Sequence, residues 1–226
     1  MKQNMIKNML FSLFFVGIFT LGVSYIHQNF QPIFESFNLS PKQVSSVLLG
    51  LHPQCKNIKD CKLEKGDILI RRYITQRTWL INKLANPFFT HSAMYLGDDE
   101  IIEATGYEKD PKDEIRISSF SKSDWQDFGI ESWVIVRVKN VTSKMPEIRK
   151  SLEIIADDPE YRFGLPKEGY KRLSCSDLIL NTLISEGVVE VRDKPKIITP
   201  DYLFWLAFNN SDSFEIVGYS FNYQPD

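Results

Sequence analysis
The sequence predicts an α+β domain in which an antiparallel sheet packs against helices. Three observations carry that reading. β-type segments cluster between Asp67 and Val138, the turn residues Gly97-Asp98-Asp99 join two of them directly, and segments of helical spacing follow from Pro146 and from Cys175.

Taken in order, Lys2 and Lys7 precede Met9 to Ile26, 18 residues without a charge. A run of that length without polar punctuation has no face to turn to water, so it predicts a membrane-directed helix rather than a core helix. It is either a cleaved signal peptide or a retained anchor. The one small-x-small site, Gly22-Val23-Ser24, is a mediocre cleavage point. The two lysines hold the N-terminus in the cytoplasm, which places the remainder on the extracytoplasmic (periplasmic) side. Ser40-Pro41 reads as a cap and first helical residue, with Val44, Val47 and Leu48 on one face and Gly50 as the stop. Strands are predicted at Asp67 to Tyr73, Ser92 to Leu96, Ile101 to Thr105, Trp133 to Val138 and Phe214 to Tyr219. Helices are predicted from Pro146 to Asp157, stopped by Pro159, and from Cys175 to Glu186, stopped by Gly187. The layout is thus 1–30 as signal peptide or membrane anchor, 31–62 as a helical lead-in and 63–226 as one globular domain.

Composition narrows the function. Apolar residues at 43% and charged residues at 25%, without low-complexity tracts, exclude a disordered chain. A net charge of −2 with both signs interspersed offers no phosphate-binding face, so nucleic acid is not an expected partner. In an oxidising compartment Cys55 and Cys61 are expected to bridge, leaving Cys175 over; free thiols, or a metal site with His52, are the alternatives.

The odd cysteine stands where reactivity is favoured. In Ser174-Cys175-Ser176-Asp177, Ser174 and Asp177 form a reciprocal cap, which puts Cys175 in the first turn of a helix. Unpaired N–H groups and the positive end of the helix dipole favour thiolate there, although a buried structural cysteine would also fit. A thiolate nucleophile needs a base and a group to orient that base. Of the three histidines, His27 borders the membrane segment and His52 lies in an irregular stretch, so His91, entering a strand, is the candidate base. Glu103 interrupts the apolar run Ile101-Ile102-Glu103-Ala104, where a carboxylate needs a partner unless it is an exposed strand-face residue. Register decides whether that partner is His91. A two-residue turn at Asp98-Asp99 sets Glu103 opposite Met94, on the wrong face. A three-residue loop or an equivalent bulge sets it opposite Ala93, diagonal to His91 on the same face.

Gly66-Asp67-Ile68-Leu69, His91-Ser92-Ala93-Met94-Tyr95-Leu96-Gly97-Asp98, Ile102-Glu103-Ala104 and Ser174-Cys175-Ser176-Asp177-Leu178-Ile179 together resemble the NlpC-type papain-like superfamily in its circularly permuted, YiiX/YebB-like branch. In the unpermuted families the cysteine helix precedes the histidine hairpin, whereas here the order is His, third polar residue, Cys. Glu103 stands where many members carry His or Asn. Tyr161 and Thr199-Pro200-Asp201 are weaker echoes to which no chemistry is assigned. The resemblance implies a catalytic domain over 63–226 that works by acyl transfer without metal or cofactor. Cys175 would attack a carbonyl, with its own N–H as oxyanion donor, and His91 would pass a proton to the leaving group. Glu103, expected to be partly solvated so that Glu103→Gln leaves stability little changed, would orient the ring. A peptide or cell-wall amide is the expected substrate. A lipid ester or amide, presented to a hydrolase or acyltransferase by Phe88-Phe89, is the alternative, although those two residues fit core aromatics better; an inactive membrane-anchored binding module is another.

Overall fold
A computed structural model of the chain describes residues 36–55, 57–73, 87–105, 114–126, 130–164 and 171–222. The membrane-directed run Met9 to Ile26 lies outside these residues. Among the described residues no helix is long and apolar enough to cross a membrane.

Helix α1 (Pro41–Leu48) opens on the reciprocal Ser40–Gln43 cap with proline at its start, and buries Val44 and Leu48, one turn apart. Strands β1 (Ile68–Tyr73), β2 (His91–Gly97), β3 (Glu100–Thr105), β4 (Glu114–Ser119) and β5 (Ile130–Val138) follow. Then come α2 (Met145–Asp157), the two-residue strands β6 (Arg162–Phe163) and β7 (Arg172–Leu173), α3 (Cys175–Ser185), α4 (Pro200–Asn209) and β8 (Phe214–Phe221). Six strands form one sheet in the order β4-β3-β2-β1-β5-β8, every neighbouring pair antiparallel. The α+β expectation holds at this level.

Both faces of the sheet are covered, which is why β1 and β5 carry near-continuous apolar runs rather than clean alternation. On one face Ile68, Ile70, Met94, Ile102, Val134 and Val136 pack against Ile148 and Leu152 of α2, Leu178 and Ile179 of α3 and Phe204 of α4. On the other, Leu69, Ala93, Ile101, Trp133, Ile135 and Val217 are roofed by Ile58, Phe120 and Trp125. The Ile58 roof hangs from the Cys55–Cys61 disulfide, whose Cα atoms are 5.3 Å apart. That bridge rules out a metal site built on His52 and the two cysteines. It rests on Gly218 of β8, where an added Cβ would lie 2.6 Å from Cys55 Sγ and 3.3 Å from the Trp133 ring. Gly218→Ala is therefore expected to cost about 1–3 kcal/mol. A thermal melt equal to that of the parent would contradict this close packing.

Besides the two-residue strands β6 and β7, the strand β4 and the helix α4 escaped the sequence reading. β4 is a short edge strand, Glu-Ile-Arg-Ile-Ser-Ser, whose two isoleucines give too brief an alternation to stand out. α4 reads as an unpatterned aromatic run, and it buries Tyr202, Leu203, Phe204, Leu206 and Ala207 on most of its circumference. Its start signal, the Thr199 cap followed by Pro200, was visible.

The β2–β3 hairpin settles the register question by a bulge. Asp98 and Asp99 form a two-residue turn with φ of 52° and 66°, the left-handed pair that matches strand twist, and Gly97 pairs with Glu100. Between Gly97 and Tyr95 the register then shifts, so that Tyr95 faces Ile101 and Met94 faces Ile102. Glu103 is thereby carried onto the face of His91.

Candidate active site
Cys175 is the first residue of α3. The Ser174 hydroxyl accepts from the Asp177 N–H at 3.0 Å, and the Asp177 carboxylate accepts from the Ser174 N–H at 3.1 Å. This closes the reciprocal cap and fixes the turn that presents the thiol. Cys175 is 5% exposed and is the free cysteine, the other two being bridged. Beside it the buried Ser92 and Ser176 hydroxyls lie 3.0 Å apart, and Ser176 Oγ is 3.9 Å from the sulfur.

His91, the first residue of β2, lies directly across from Arg71 of β1. Its Nε2 is 2.8 Å from Glu103 Oε2, and the Cys175 thiol is close enough to the ring to act on its ionisation. With Nε2 engaged by the carboxylate, Nδ1 is the nitrogen left for sulfur. The structure thus brings all three sequence-nominated residues together, and it corrects the expectation about the surroundings of Glu103. Glu103 is not partly solvated, nor an exposed strand-face residue. It is 1% exposed and receives Arg116 Nη2 at 3.0 Å and Nε at 3.3 Å on Oε1, and Trp125 Nε1 at 3.3 Å on Oε2. Phe88 and Phe89 take the role of core aromatics. They are buried, stacked edge to face at 4.8 Å, with Phe89 against Phe204 of α4.

Trp125 is fully buried with its ring 5.8 Å from that of His91, and the Arg71 guanidinium lies 4.2 Å from the Trp125 ring centre. Arg71 is itself buried and ion-paired to Asp124 at 3.0 Å. Arg71, Arg116 and Trp125 were not nominated from sequence. Arg116 had a legible signal, a charge between two isoleucines on a strand, whereas nothing local marks Trp125.

These contacts set the ionisation. Burial works against a charged imidazole, but the Cys175 and Glu103 partners outweigh it and lift His91 to about 9. Burial pushes the Cys175 thiol up, yet the facing imidazolium and the Ser92 hydroxyl and backbone bring it below its ordinary value. Burial likewise opposes ionised Glu103, and His91 with Arg116 and Arg71 overturns that, to about 2. A thiolate–imidazolium pair backed by a carboxylate is the state these groups favour together.

Asp201, assigned no chemistry from sequence, is a fully buried staple. Its carboxylate accepts from the backbone N–H groups of Leu39, Phe88 and Phe89 at 2.8, 2.8 and 2.7 Å. It thereby fixes the segment that leads into His91. Tyr161 packs, partly buried, against the helix-side core, with Lys171 Nζ 5.1 Å from its ring centre. Among the described residues no group of three or more His, Cys, Asp or Glu side chains is placed to hold a metal ion.

No family model and no curated protein matches the chain. Among solved structures it is similar to the crystal structure of metalloprotein yiiX from Escherichia coli O157:H7 (DUF1105), at TM-score 0.40 and 12% identity, over 72% of this chain and 90% of that one. A likeness of that size carries no argument about the site.

Proposed function
We propose that the chain is a thiol hydrolase of the papain-like, NlpC-type permuted kind, cleaving an amide bond in a peptide or cell-wall stem peptide. The supporting observation is the His91 ring hydrogen-bonded to the Glu103 carboxylate and next to the Cys175 thiol, which opens a capped helix. The Cys175 thiolate adds to the substrate carbonyl carbon, and the oxygen gains the negative charge beside the Cys175 N–H in the first helical turn, where no intrahelical acceptor exists. The tetrahedral adduct collapses as the C–N bond breaks, and the imidazolium gives its proton to the departing amine. Neutral His91 then takes a proton from water, whose oxygen attacks the thioester and releases acid and thiolate. Glu103 holds Nε2 throughout. The apolar run Met9 to Ile26 tethers the domain to the membrane or exports it across, on the extracytoplasmic side, where the Cys55–Cys61 bridge is stable. Buried Phe88 and Phe89 disfavour the lipid-presenting alternative.

The full chain, incubated with muropeptides and with a peptide anilide, should release amine. Rapid acid quench should trap an acyl group on Cys175 by intact mass and peptide mapping. Cys175→Ala should show neither release nor adduct. Amine release that persists in Cys175→Ala would overturn the proposal.

A further inference from the structure
The Glu103 carboxylate divides its two oxygens between different duties. Oε2 faces His91 Nε2 and the Trp125 N–H, while Oε1 takes two nitrogens of Arg116. Arg116 stands directly opposite Glu103 in the β3–β4 ladder, so its side chain shares the face of the catalytic set while Ile115 and Ile117 pack into the helix-side core. Its side chain is 37% exposed and reaches from the edge of the sheet to a carboxylate that is 1% exposed. We infer that Arg116 is a positioning residue of this site, which clamps Glu103 Oε1 so that Oε2 stays ionised and aimed at His91. The inference rests on the reading of Cys175, His91 and Glu103 as one catalytic set.

Charge balance points the same way. Among the described residues three cations act on Glu103: His91, Arg116 and Arg71. The Arg71 guanidinium of β1 is matched by Asp124, and the His91 imidazolium of β2 is matched by the Cys175 thiolate at the start of α3. Arg116 of β4 is the arginine in direct contact with the Glu103 carboxylate, through two nitrogens on Oε1. Without it the buried carboxylate loses that adjacent positive charge, which drives it towards taking up a proton. A protonated or rotated Glu103 no longer holds the imidazolium, and the thiolate loses its counterion in turn. Trp125 cannot substitute, because an indole N–H supplies one neutral donor and no charge.

The far-ultraviolet absorbance of the Cys175 thiolate, followed against pH as the difference from Cys175→Ala, reads this coupling without any substrate. The full chain, Arg116→Gln, Arg116→Lys and Glu103→Gln are compared, with a thermal melt of each. The thiolate midpoint should rise by about one pH unit in Arg116→Gln, the size of shift a single adjacent charge produces. It should rise further in Glu103→Gln and return most of the way in Arg116→Lys, which keeps the charge and gives up the fork. A merely structural arginine would lower the melting temperature of Arg116→Gln and leave the midpoint in place. That outcome, with Glu103→Gln still shifted, overturns this inference alone. An unmoved midpoint in Glu103→Gln overturns the catalytic set itself. If Arg116→Gln does not fold, Arg116→Lys decides: a midpoint near that of the parent supports the clamp, and one as high as that of Glu103→Gln refutes it.

Discussion

Glutamine in place of Glu103 is expected to lower turnover by about 100-fold or more, the scale of a lost acid–base partner. The amide keeps the shape but gives up the charge that holds His91 as imidazolium, and its NH2 group cannot accept from Nε2. The melting temperature should fall as well, because the substitution weakens charge-assisted hydrogen bonds between a buried carboxylate and a partly exposed Arg116 rather than trimming a solvated group; about 1.5–3 kcal/mol is the scale for such a loss. Rate and melt are measured on the same sample. Unchanged turnover with a lowered melt would reduce Glu103 to a structural carboxylate and leave a Cys175/His91 dyad.

Asp201→Ala is expected to cost about 3 kcal/mol or more, since three buried N–H groups lose their acceptor at once and each orphan costs roughly 1–3 kcal/mol. Those groups belong to the lead-in at Leu39 and to Phe88-Phe89, two residues before His91. Turnover should therefore fall with stability, although Asp201 touches none of the three proposed catalytic side chains in any contact described above. Urea unfolding followed by circular dichroism tests this. A loss below 1 kcal/mol would mean that water replaces the carboxylate and that the staple is dispensable.

The pH dependence of stability has a definite sign. His91 has a folded pKa raised from 6.5 to about 9, so its stabilisation is complete below 6.5 and is lost as pH rises through 9. Glu103 has a folded pKa lowered from 4.5 to about 2, so its stabilisation is complete above 4.5 and is lost as pH falls toward 2. Cys175 runs against His91: its thiol is held below its ordinary value, so its stabilisation is present above 9.0 and fades on acidification, and the two contributions offset between about 6.5 and 9. Asp201 acts in the opposite sense for an acid. Burial lifts it from 3.8 to about 6 against the pull of three amides, so its ionised form is carried at a cost above pH 6 and that cost fades on acidification. Melting temperatures of the parent should therefore change little between pH 6.5 and 9 on account of the pair, whereas Cys175→Ala, which leaves His91 raised by Glu103 without the opposing thiol, should decline on the alkaline side.

Much of the site could be read from the chain because its chemistry is local. The Ser174–Asp177 cap lies within one helical turn of Cys175, and the hairpin that joins His91 to Glu103 spans twelve residues. The hairpin reading needed only the alternation of strand faces and one bulge. What escaped was assembled over distance. Arg71, Arg116 and Trp125 meet Glu103 from β1, from β4 and from the turn after β4, and Asp201 reaches amides 162, 113 and 112 residues away. Pattern along the chain carries no information about such meetings. The solvation of Glu103 was misjudged for the same reason. Its burial depends on a tryptophan and an edge strand that sequence spacing does not bring to it.

The central claim is that Cys175 and His91 form a thiolate–imidazolium pair held by Glu103, and titration of the His91 ring by nitrogen-15 NMR measures it most directly. Only three histidines are present, so His91→Gln assigns the resonances. The account predicts a ring that stays doubly protonated until pH about 9, and a midpoint that drops toward 6.5 in both Cys175→Ala and Glu103→Gln. A parent midpoint near 6.5, unmoved by either substitution, would show that the three side chains are neighbours without forming the pair, and would contradict the account.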